Sequence, residues 1–309
     1  KMLKDKKIVV TGGGGFLGKQ VVDVLKKHHV RDIFVPRSKE YDLRSRKVCE
    51  KVVKEADIVI HLAGNVGGIG YNLNHPGEMF YDNVLMGTYL LDESRKAAVK
   101  KFVSVGTVCS YPKFTPVPFR EEDLWDGYPE ETNAPYGLAK KMLLVQGQAY
   151  RQQYDFNSIY LIPINLYGPG DKFDPRVSHV IPALIRKIID ARDHGEKFVE
   201  VWGTGHATRE FLYVEDAAKG IVLATQKYNG VEPVNLGTGI ETSIRDVVKL
   251  IMELTGYRGE IKWDTTKPDG QPRRRLDVTQ AKKYFGFTAK TTLREGLKRT
   301  IAWYEKSIS

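Results

Sequence analysis

The sequence predicts an α/β protein built on a doubly wound parallel sheet, with a smaller α/β unit after it. Three observations support this prediction. Short apolar runs alternate with helical patterns, a glycine run directly follows the first apolar run, and the texture changes after a loop rich in glycine and proline at 168–175. Near-continuous apolar strands separated by helices are typical of parallel sheets that are covered on both faces.

The elements of the first half follow from hydrophobic periodicity. The run KIVVT at 7–11 predicts a strand, and 16–28 predicts a helix with its apolar residues on one side. By the same criteria, the further strands are expected at 32–36, 57–63, 101–106 and 157–165, and the long helices at 77–98 and 135–154.

The second half predicts a different arrangement. Helices are expected at 177–193, 243–256 and 292–306, and a strand at 198–202. A helix at 214–227 and a strand at 233–237 look like a return to the first sheet. We therefore expect a sheet domain at 1–170 with a return segment at about 211–238, and a second domain made of 171–210 and 239–309.

The composition of the chain narrows the kinds of function that we expect. The 309 residues contain 48 Lys and Arg against 38 Asp and Glu, for a net charge of +10, and the basic residues are scattered. A solvated surface explains such scatter, an anionic small-molecule substrate is the next explanation, and nucleic acid is third because no binding motif is found. Two cysteines exclude a disulfide framework, and no apolar run has membrane-spanning length. Without a secretory signal pattern, we expect a cytoplasmic protein with no membrane or nucleic-acid partner.

The glycine run predicts a dinucleotide site. TGGGGFLG at 11–18 ends the first strand and opens the first helix, with Gly12, Gly15 and Gly18 at the motif spacing. Glycines allow a tight turn and close approach to a pyrophosphate, whose charge meets free N–H groups at the helix N-terminus. A purely structural turn is the alternative. In this strand–loop–helix setting, the motif favours a Rossmann nucleotide-binding domain.

The tip of the second strand indicates which dinucleotide is bound. A site for NAD usually has a carboxylate there, whereas this chain has Arg37 as the first polar group of VPRSKEYD. A guanidinium can pair with the 2′-phosphate of NADP, so we favour NADPH/NADP over the alternative of a simple exposed loop arginine. The backbone of Leu62, Ala63 and Gly64 ends the next strand and is expected to line the cofactor crevice.

Tyr136 and Lys140 are candidates for hydride chemistry at a carbonyl. They stand four residues apart and share one face of a helix. The charge of Lys140 can lower the pKa of Tyr136 and its ammonium can bond the nicotinamide ribose, while Tyr136 protonates the carbonyl oxygen. Thr107, at a strand end, can donate to the same oxygen. The alternative for Tyr136 is a core aromatic residue.

Cys109 and His179 are candidates for moving protons on the carbons beside that carbonyl. Cys109 lies in VGTVCSYP after an apolar strand, and His179 lies at the start of a predicted helix. Each has an ordinary alternative, because most free cysteines are small buried residues and most lone histidines are structural. Cys49 lies in a helical pattern and is expected to pack in the core.

These motifs identify a resemblance that runs nearly end to end. The chain resembles the extended short-chain dehydrogenase/reductases, and within them the GDP-L-fucose synthase family of 3,5-epimerase/4-reductases. The segments that carry the resemblance are TGGGGFLG, HLAGNVGGI, VCSYPK, EETNAPYGLAKK, INLYGPGDKF, SHVIPALI, VWGTG, REFLYVEDAA, VNLGTG and KPDGQPRRRLDV. Of these, VGGI, SHVIPAL and KPDG-x-PR are the most specific.

The resemblance implies a role for each candidate residue. It assigns Tyr136 and Lys140 to reduction and Cys109 and His179 to epimerisation, with the hydroxyl of the dehydrogenase triad falling on Thr107, where the family usually has serine. Val108 replaces a second small polar residue of the family, so both positions bear on the fit of the sugar. Further cofactor contacts fall on Phe16, Leu17, Lys140 and His179. A GDP-linked keto-deoxy sugar is expected near Asn165, Lys187, Trp202, Arg209 and Asp269, although core packing is the alternative for Trp202.

We also expect a particular assembly, and several alternative functions stay open. The family forms homodimers through a four-helix bundle, and the apolar pattern at 79–91 suits either that bundle or packing on the sheet. No metal is expected, since no ligand motif is found. The rivals are a GDP-4-keto-6-deoxy-heptose reductase, a 3,5-epimerase that only recycles its cofactor, and a non-catalytic dinucleotide sensor.

Overall fold

A parallel six-stranded sheet forms the centre of the computed structural model, which describes residues 3–67 and 69–309. The strands of the chain are β1 (Lys7–Thr11), β2 (Asp32–Phe34), β3 (Ile58–His61), β4 (Lys101–Val105), β5 (Ser158–Pro163), β6 (Asn165–Tyr167), β7 (Phe198–Trp202), β8 (Thr208–Arg209), β9 (Phe211–Tyr213), β10 (Val234–Leu236), β11 (Thr242–Ser243) and β12 (Glu260–Asp264). The helices are α1 (Phe16–Lys27), α2 (Arg46–Val52), α3 (Ile69–Asn74), α4 (Pro76–Lys96), α5 (Ala134–Tyr154), α6 (Val180–Asp193), α7 (Val214–Lys227), α8 (Ile244–Thr255), α9 (Thr279–Phe285) and α10 (Leu293–Ile308), with short 3₁₀ helices at Val108–Ser110 and Glu121–Trp125.

The order of the central strands creates a binding crevice. The sheet runs β10–β5–β4–β3–β1–β2, and all neighbouring strands are parallel. The chain moves outward from β1 to β2 on one side and to β3 on the other. Ligands bind at such a reversal point, beyond the carboxyl ends of the strands. The predicted doubly wound α/β fold is confirmed.

The last strand of the sheet comes from far along the chain. β10 pairs with β5, with Val234 opposite Leu161, and α7 packs against α1. The strand expected at 233–237 therefore joins the first sheet. Smaller pairings follow outside it: β7 with β12 and β6 with β9 are parallel, and β8 with β11 is antiparallel.

Two apolar clusters are separated in space. One surrounds the central sheet and also takes in Leu276 and Phe287 from near the C-terminus. The other joins α6, α8 and α10 to β7. The division into two domains at the boundaries given above stays a prediction.

Several predicted boundaries differ from the structure by one or more residues, and three of the differences follow from the backbone. β2 ends at Phe34, before Pro36, which has no N–H to donate to the sheet. The strand expected at 157–165 divides after Pro163, because β6 pairs with β9 instead. The helix expected at 177–193 begins at Val180, with Pro182 in its first turn, where a missing N–H costs little.

Some elements lay outside the sequence prediction. The strands β6, β8, β9 and β11 and the helices α3 and α9 are too brief to show a hydrophobic period. β12 alternates polar and apolar residues in EIKWD and was missed although it is as long as β1 and β7. Gly68, in the VGGI segment, lies outside the described residues. Within the described part of the chain, no helix is both long enough and apolar enough to cross a bilayer.

Candidate active site

The glycine loop lines a cavity of about 650 Å³ at the carboxyl ends of β1, β2 and β3. Gly12 has φ +70°, and a Cβ there would lie 2.8 Å from the backbone nitrogen of Ala63. A Cβ at Gly18 would lie 2.0 Å from the carbonyl oxygen of Gly12. Only glycine fits either position, so the loop folds tightly and α1 packs close to it.

Some of the predicted cofactor residues line this cavity, and others lie at the start of α1, next to the glycine loop. The predicted residues on the cavity wall are Gly12, Gly15, Arg37, Leu62, Ala63 and Gly64. Gly18 and Leu17 support the loop from α1, and Phe16 approaches Gly170, where an added Cβ would lie 3.8 Å from its ring. Gly170, in the loop that leads to His179, therefore lies beside the start of α1.

The sequence missed several polar groups on the cavity wall. Arg44 pairs with Asp42 at 2.9 Å and with Asp82 at 3.3 Å, and Asn65 donates to Asp82 at 2.9 Å. Hydrogen bonds from Arg44 lower the pKa of Asp42. Asp82 lies on α4, far from Arg44 in the chain, so no local pattern could have joined them.

A short turn carries Thr107 and Cys109 onto the face of α5. Thr107 Oγ1 accepts a hydrogen bond from the Cys109 N–H at 3.1 Å and caps the 3₁₀ helix Val108–Ser110. A Cβ at Gly137 would lie 2.5 Å from the carbonyl oxygen of Cys109, and Ser110 Oγ donates to the Gly137 carbonyl at 2.8 Å. Because position 137 lacks a side chain, the turn packs directly beside Tyr136.

Tyr136 lies at the edge of the nucleotide cavity. Its hydroxyl oxygen is 3.8 Å from the position of a Cβ on Gly64, which lines the cavity. Burial raises the pKa of Tyr136 above its usual value, and the negative charge of a Cys109 thiolate raises it further. The expectation of a lowered pKa for Tyr136 was wrong in its net direction, because desolvation dominates at this phenol.

Lys140 is buried one turn after Tyr136. Only 4% of its surface is exposed, and burial lowers its pKa to about 8. Tyr160 donates its hydroxyl to the Lys140 carbonyl at 3.0 Å, which anchors this turn of α5 to the sheet. Lys140 also acts on buried His61, whose pKa is lowered first by burial and then by this charge. His61 hydrogen-bonds Thr11 Oγ1 at 2.7 Å, a contact that the sequence did not indicate.

His179 lies immediately before α6 as its N-terminal cap residue. The residue is exposed, and partial desolvation of the ring lowers its pKa, as does the charge of Lys172. Within the described residues, no hydrogen bond joins His179 to Cys109. Their convergence on one substrate stays a prediction.

Two of the five predicted sugar-nucleotide residues, Arg209 and Asp269, belong to a second polar cluster. Arg209 donates to the carbonyl oxygens of Thr208 at 2.7 Å and Gln271 at 2.6 Å, and lies 3.4 Å from that of Asp269. Asp269 accepts from both the backbone and the hydroxyl of Thr204. Burial lowers the pKa of Arg209 to about 10, which leaves it charged at neutral pH.

The other three predicted residues of this group lie on β6, β7 and α6. Trp202, at the end of β7, is 64% exposed, so the core-packing alternative for this residue was wrong. Lys187 extends from α6 and donates to the Glu200 carbonyl at 3.1 Å. Asn165 lies on β6 and donates to the Glu210 carbonyl at 3.2 Å. Residues 3–67 and 69–309 contain no group of three or more acidic, histidine or cysteine side chains arranged to hold a metal ion.

Comparison with known proteins adds independent findings. The family model described as "NAD dependent epimerase/dehydratase family" matches residues 8–237. GDP-L-fucose synthase 1 of Arabidopsis thaliana is 38% identical over 99% of this chain and 95% of its own length.

Two solved structures share the fold. A GDP-L-fucose synthetase from Naegleria fowleri bound to NADP has a TM-score of 0.91 and 31% identity, covering 99% of this chain and 94% of that one. A GDP-6-OMe-4-keto-L-xylo-heptose reductase from Campylobacter jejuni has a TM-score of 0.92 and 27% identity, covering 99% of each chain.

Proposed function

The chain belongs to the NAD dependent epimerase/dehydratase family, with a GDP-L-fucose synthase among its relatives, and from this premise we propose that it is a bifunctional NADPH-dependent 3,5-epimerase/4-reductase. Its substrate would be a GDP-4-keto-6-deoxy sugar and its product GDP-L-fucose or a close relative. The observation that carries the proposal is the packing of the Cys109 turn on α5 through Gly137. This packing brings the Cys109 turn beside Tyr136, and a Cys109 thiolate is close enough to raise the pKa of the phenol.

The residues around the cavity fit a dinucleotide phosphate. Gly12 provides bare backbone against Ala63, and the first turn of α1 points its free N–H groups toward the loop. Arg37 lies on the wall where a 2′-phosphate would project. NADPH, when bound, supplies the hydride that reduces carbon 4.

Tyr136 is proposed as the acid of the reduction. Its raised pKa keeps the phenol protonated at neutral pH, which is the state that a proton donor needs. As the carbonyl oxygen gains negative charge, Tyr136 donates its proton to it. Lys140, charged below pH about 8, stabilises the phenolate that remains.

Thr107 is proposed to orient the same carbonyl oxygen. Its Oγ1 already accepts the N–H of Cys109, and its own proton has no partner among the hydrogen bonds of the described residues. That proton is therefore available to the sugar oxygen. A donor aimed at an oxygen that gains charge stabilises both the reduction and an enolate.

Cys109 and His179 are proposed to invert carbons 3 and 5. The ketone at carbon 4 acidifies the hydrogens on both neighbours. The Cys109 thiolate takes one proton and leaves an enolate, and His179 returns a proton from the opposite face. His179 precedes α6, and the loop that leads to it contacts the start of α1 at Gly170, which supports this role.

The proposed GDP site lies at the second polar cluster. The exposed ring of Trp202 offers a stacking surface to a base, and Arg209 and Lys187 offer positive charge to a diphosphate. Asp269 holds the loop that faces them through Thr204.

Deuterium incorporation at carbons 3 and 5 tests the epimerase roles. Cys109→Ser and His179→Gln should each lower incorporation by about 10²–10⁴-fold, the usual contribution of a general acid or base. Cys49→Ser and His194→Gln are matched controls, since Cys49 is packed in the core and His194 ends α6. Unchanged incorporation in both active-site variants would remove the proposed roles.

A heptose reductase is the second candidate. The Campylobacter jejuni structure with this fold is named as a reductase of a GDP-linked 4-keto heptose. Thr107 carries a methyl group where the family usually has serine, and it lies in the turn beside Tyr136, where it would change the fit of the sugar. Val108 is buried in the core, so the expectation that it bears on the sugar was wrong. NADPH oxidation without deuterium at carbons 3 and 5 would favour this candidate.

A further inference from the structure

The glycine loop contains two glycines beyond those that the motif spacing requires. Gly12, Gly15 and Gly18 account for the tight turn, the pyrophosphate approach and the packing of α1. Gly13 and Gly14 lie between them, and neither has a positive φ that would demand glycine. Their surroundings give a different reason for the missing side chains.

Side chains that follow β2 pack against both of these glycines. A Cβ at Gly13 would lie 2.8 Å from Val35 Cγ2. A Cβ at Gly14 would lie 1.7 Å from Nη1 of Arg37, 2.5 Å from its Cζ and 3.1 Å from its Nη2. The guanidinium of Arg37 therefore lies across the bare Cα of Gly14, on the wall of the nucleotide cavity.

Arg37 is also a basic side chain on the cavity wall that has no acidic partner among the described residues. The two basic side chains on the cavity wall are Arg37 and Arg44. Arg44 is held by Asp42 and Asp82, whereas Arg37 forms no ion pair with any residue in the described ranges. A phosphate that enters this part of the cavity meets Arg37 as its free partner.

We propose that Gly14 is a specificity-determining residue, whose bare backbone holds the Arg37 guanidinium where it receives the 2′-phosphate of NADPH. The inference rests on the proposed NADPH-dependent function and adds the position that sets the cofactor preference. A methyl group at 14 overlaps the guanidinium. Because this is the mobile end of a long side chain, Arg37 swings away and the loop keeps its fold.

Dissociation constants for NADPH and NADH, measured by calorimetry on the substrate-free protein, test this proposal without relying on turnover. Arg37→Ala should weaken NADPH roughly ten- to hundredfold, as expected for loss of a charged hydrogen bond, and leave NADH within about twofold. Gly14→Ala should weaken NADPH selectively in the same direction. The double variant should bind NADPH no more weakly than Arg37→Ala, because both changes remove one interaction.

Gly15→Ala is the matched control on the same loop. Its Cβ would approach only the Gly12 carbonyl oxygen, at 3.3 Å, and not Arg37. Because the motif glycines let the loop approach the pyrophosphate, which both cofactors share, the added methyl group should weaken both by the same factor. Retained NADH affinity in Gly14→Ala shows that the variant is folded.

The possible outcomes distinguish failure of the Gly14 proposal from failure of the proposed NADPH-dependent function. If Gly14→Ala keeps the wild-type NADPH-to-NADH ratio while Arg37→Ala lowers it, the role of Gly14 is overturned and the NADPH site stands. Equal loss of both cofactors in Gly14→Ala, as in Gly15→Ala, also overturns it. If Arg37→Ala itself leaves the ratio unchanged, the assignment of the 2′-phosphate to Arg37 fails as well.

Discussion

Tyr136 and Lys140 show how burial changes the protonation of single residues in the proposed site. Both side chains lose water on α5, and the consequence differs with the sign of the charged form. Desolvation raises the pKa of Tyr136, so the phenol stays protonated. The same effect lowers the pKa of Lys140 to about 8, so its charge becomes sensitive to mildly alkaline pH.

The rate of NADPH-dependent reduction should therefore fall as pH rises through about 8. Below that pH Lys140 is an ammonium that stabilises the Tyr136 phenolate, and above it Lys140 is neutral. Stopped-flow absorbance of NADPH across this range measures the effect. Lys140→Arg retains its charge, so its profile should lose the alkaline fall even if its overall rate is lower. The same fall in wild type and Lys140→Arg would contradict the assignment.

At the scale of elements, a buried lysine joins the Cys109 turn to its neighbours. Lys141 on α5 is 2% exposed, and its ammonium donates to the carbonyl of Leu124 and lies 3.5 Å from that of Ser110. It also lies 4.0 Å from the ring centroid of Trp125. One side chain thus ties α5 to both 3₁₀ helices, and burial lowers its pKa to about 8.

This burial predicts a rise in folding stability with pH. In the unfolded chain Lys141 binds its proton up to about pH 10.5, whereas the folded protein releases it from about pH 8. The unfolded state holds more of this proton in that window, so the contribution of Lys141 to the free energy of unfolding should increase as pH rises. The buried thiol of Cys49, whose pKa is raised, acts in the opposite direction above about pH 9, so the effect is measured as the difference between wild type and variant.

Lys140 contributes in the same direction, so Lys141→Met should remove about half of this increase. Urea unfolding at the two ends of the window measures it. Lys249→Met, which changes an exposed lysine, is the control and should leave the slope unaltered. A wild-type slope in Lys141→Met would show that the buried ammonium does not titrate as described.

At the scale of the whole molecule, α4 and α5 pack together and leave apolar side chains on the outside. Met142 and Val145 lie one turn apart on α5 and are 39% and 44% exposed, and Phe80 on α4 is 44% exposed. Met79, Leu90 and Leu91 from the same predicted pattern are buried inside the subunit. The pattern at 79–91 thus contains residues that pack inward as well as residues available to a partner.

The proposed homodimer through a four-helix bundle predicts the effect of a charge on this face. Val145→Glu should convert a dimer to a monomer, because an unpaired carboxylate would be buried at the interface. Analytical ultracentrifugation measures the mass. Phe114→Glu, at a site 86% exposed elsewhere on the surface, should leave the mass unchanged. A dimeric Val145→Glu, or a monomeric wild type, would contradict the bundle.

The fold and part of the site could be predicted because their signals are local. Apolar runs located the strands of the central sheet, and the four-residue spacing placed Tyr136 and Lys140 on one helix face. The glycine spacing located the cavity for the same reason. Pairs that meet only through the packing of elements could not be predicted, as with Arg44 and Asp82 or Thr11 and His61.

The exposure of individual side chains also could not be predicted from the sequence. Trp202 alternates with buried residues on β7, so its exposure depends on which face the sheet pairing turns outward. The desolvation that raises the pKa of Tyr136 likewise depends on distant segments that cover α5. Local chemistry suggested a lowered value because it counted the neighbouring charge and not the lost water.

Product stereochemistry tests the central claim most directly. The protein would be incubated with NADPH and GDP-4-keto-6-deoxy-D-mannose in deuterium oxide, and the product would be solved by NMR. A bifunctional enzyme gives a sugar inverted at carbons 3 and 5, with deuterium at both and cofactor hydrogen at carbon 4. A product reduced at carbon 4 with both neighbouring centres unchanged and free of deuterium would contradict it.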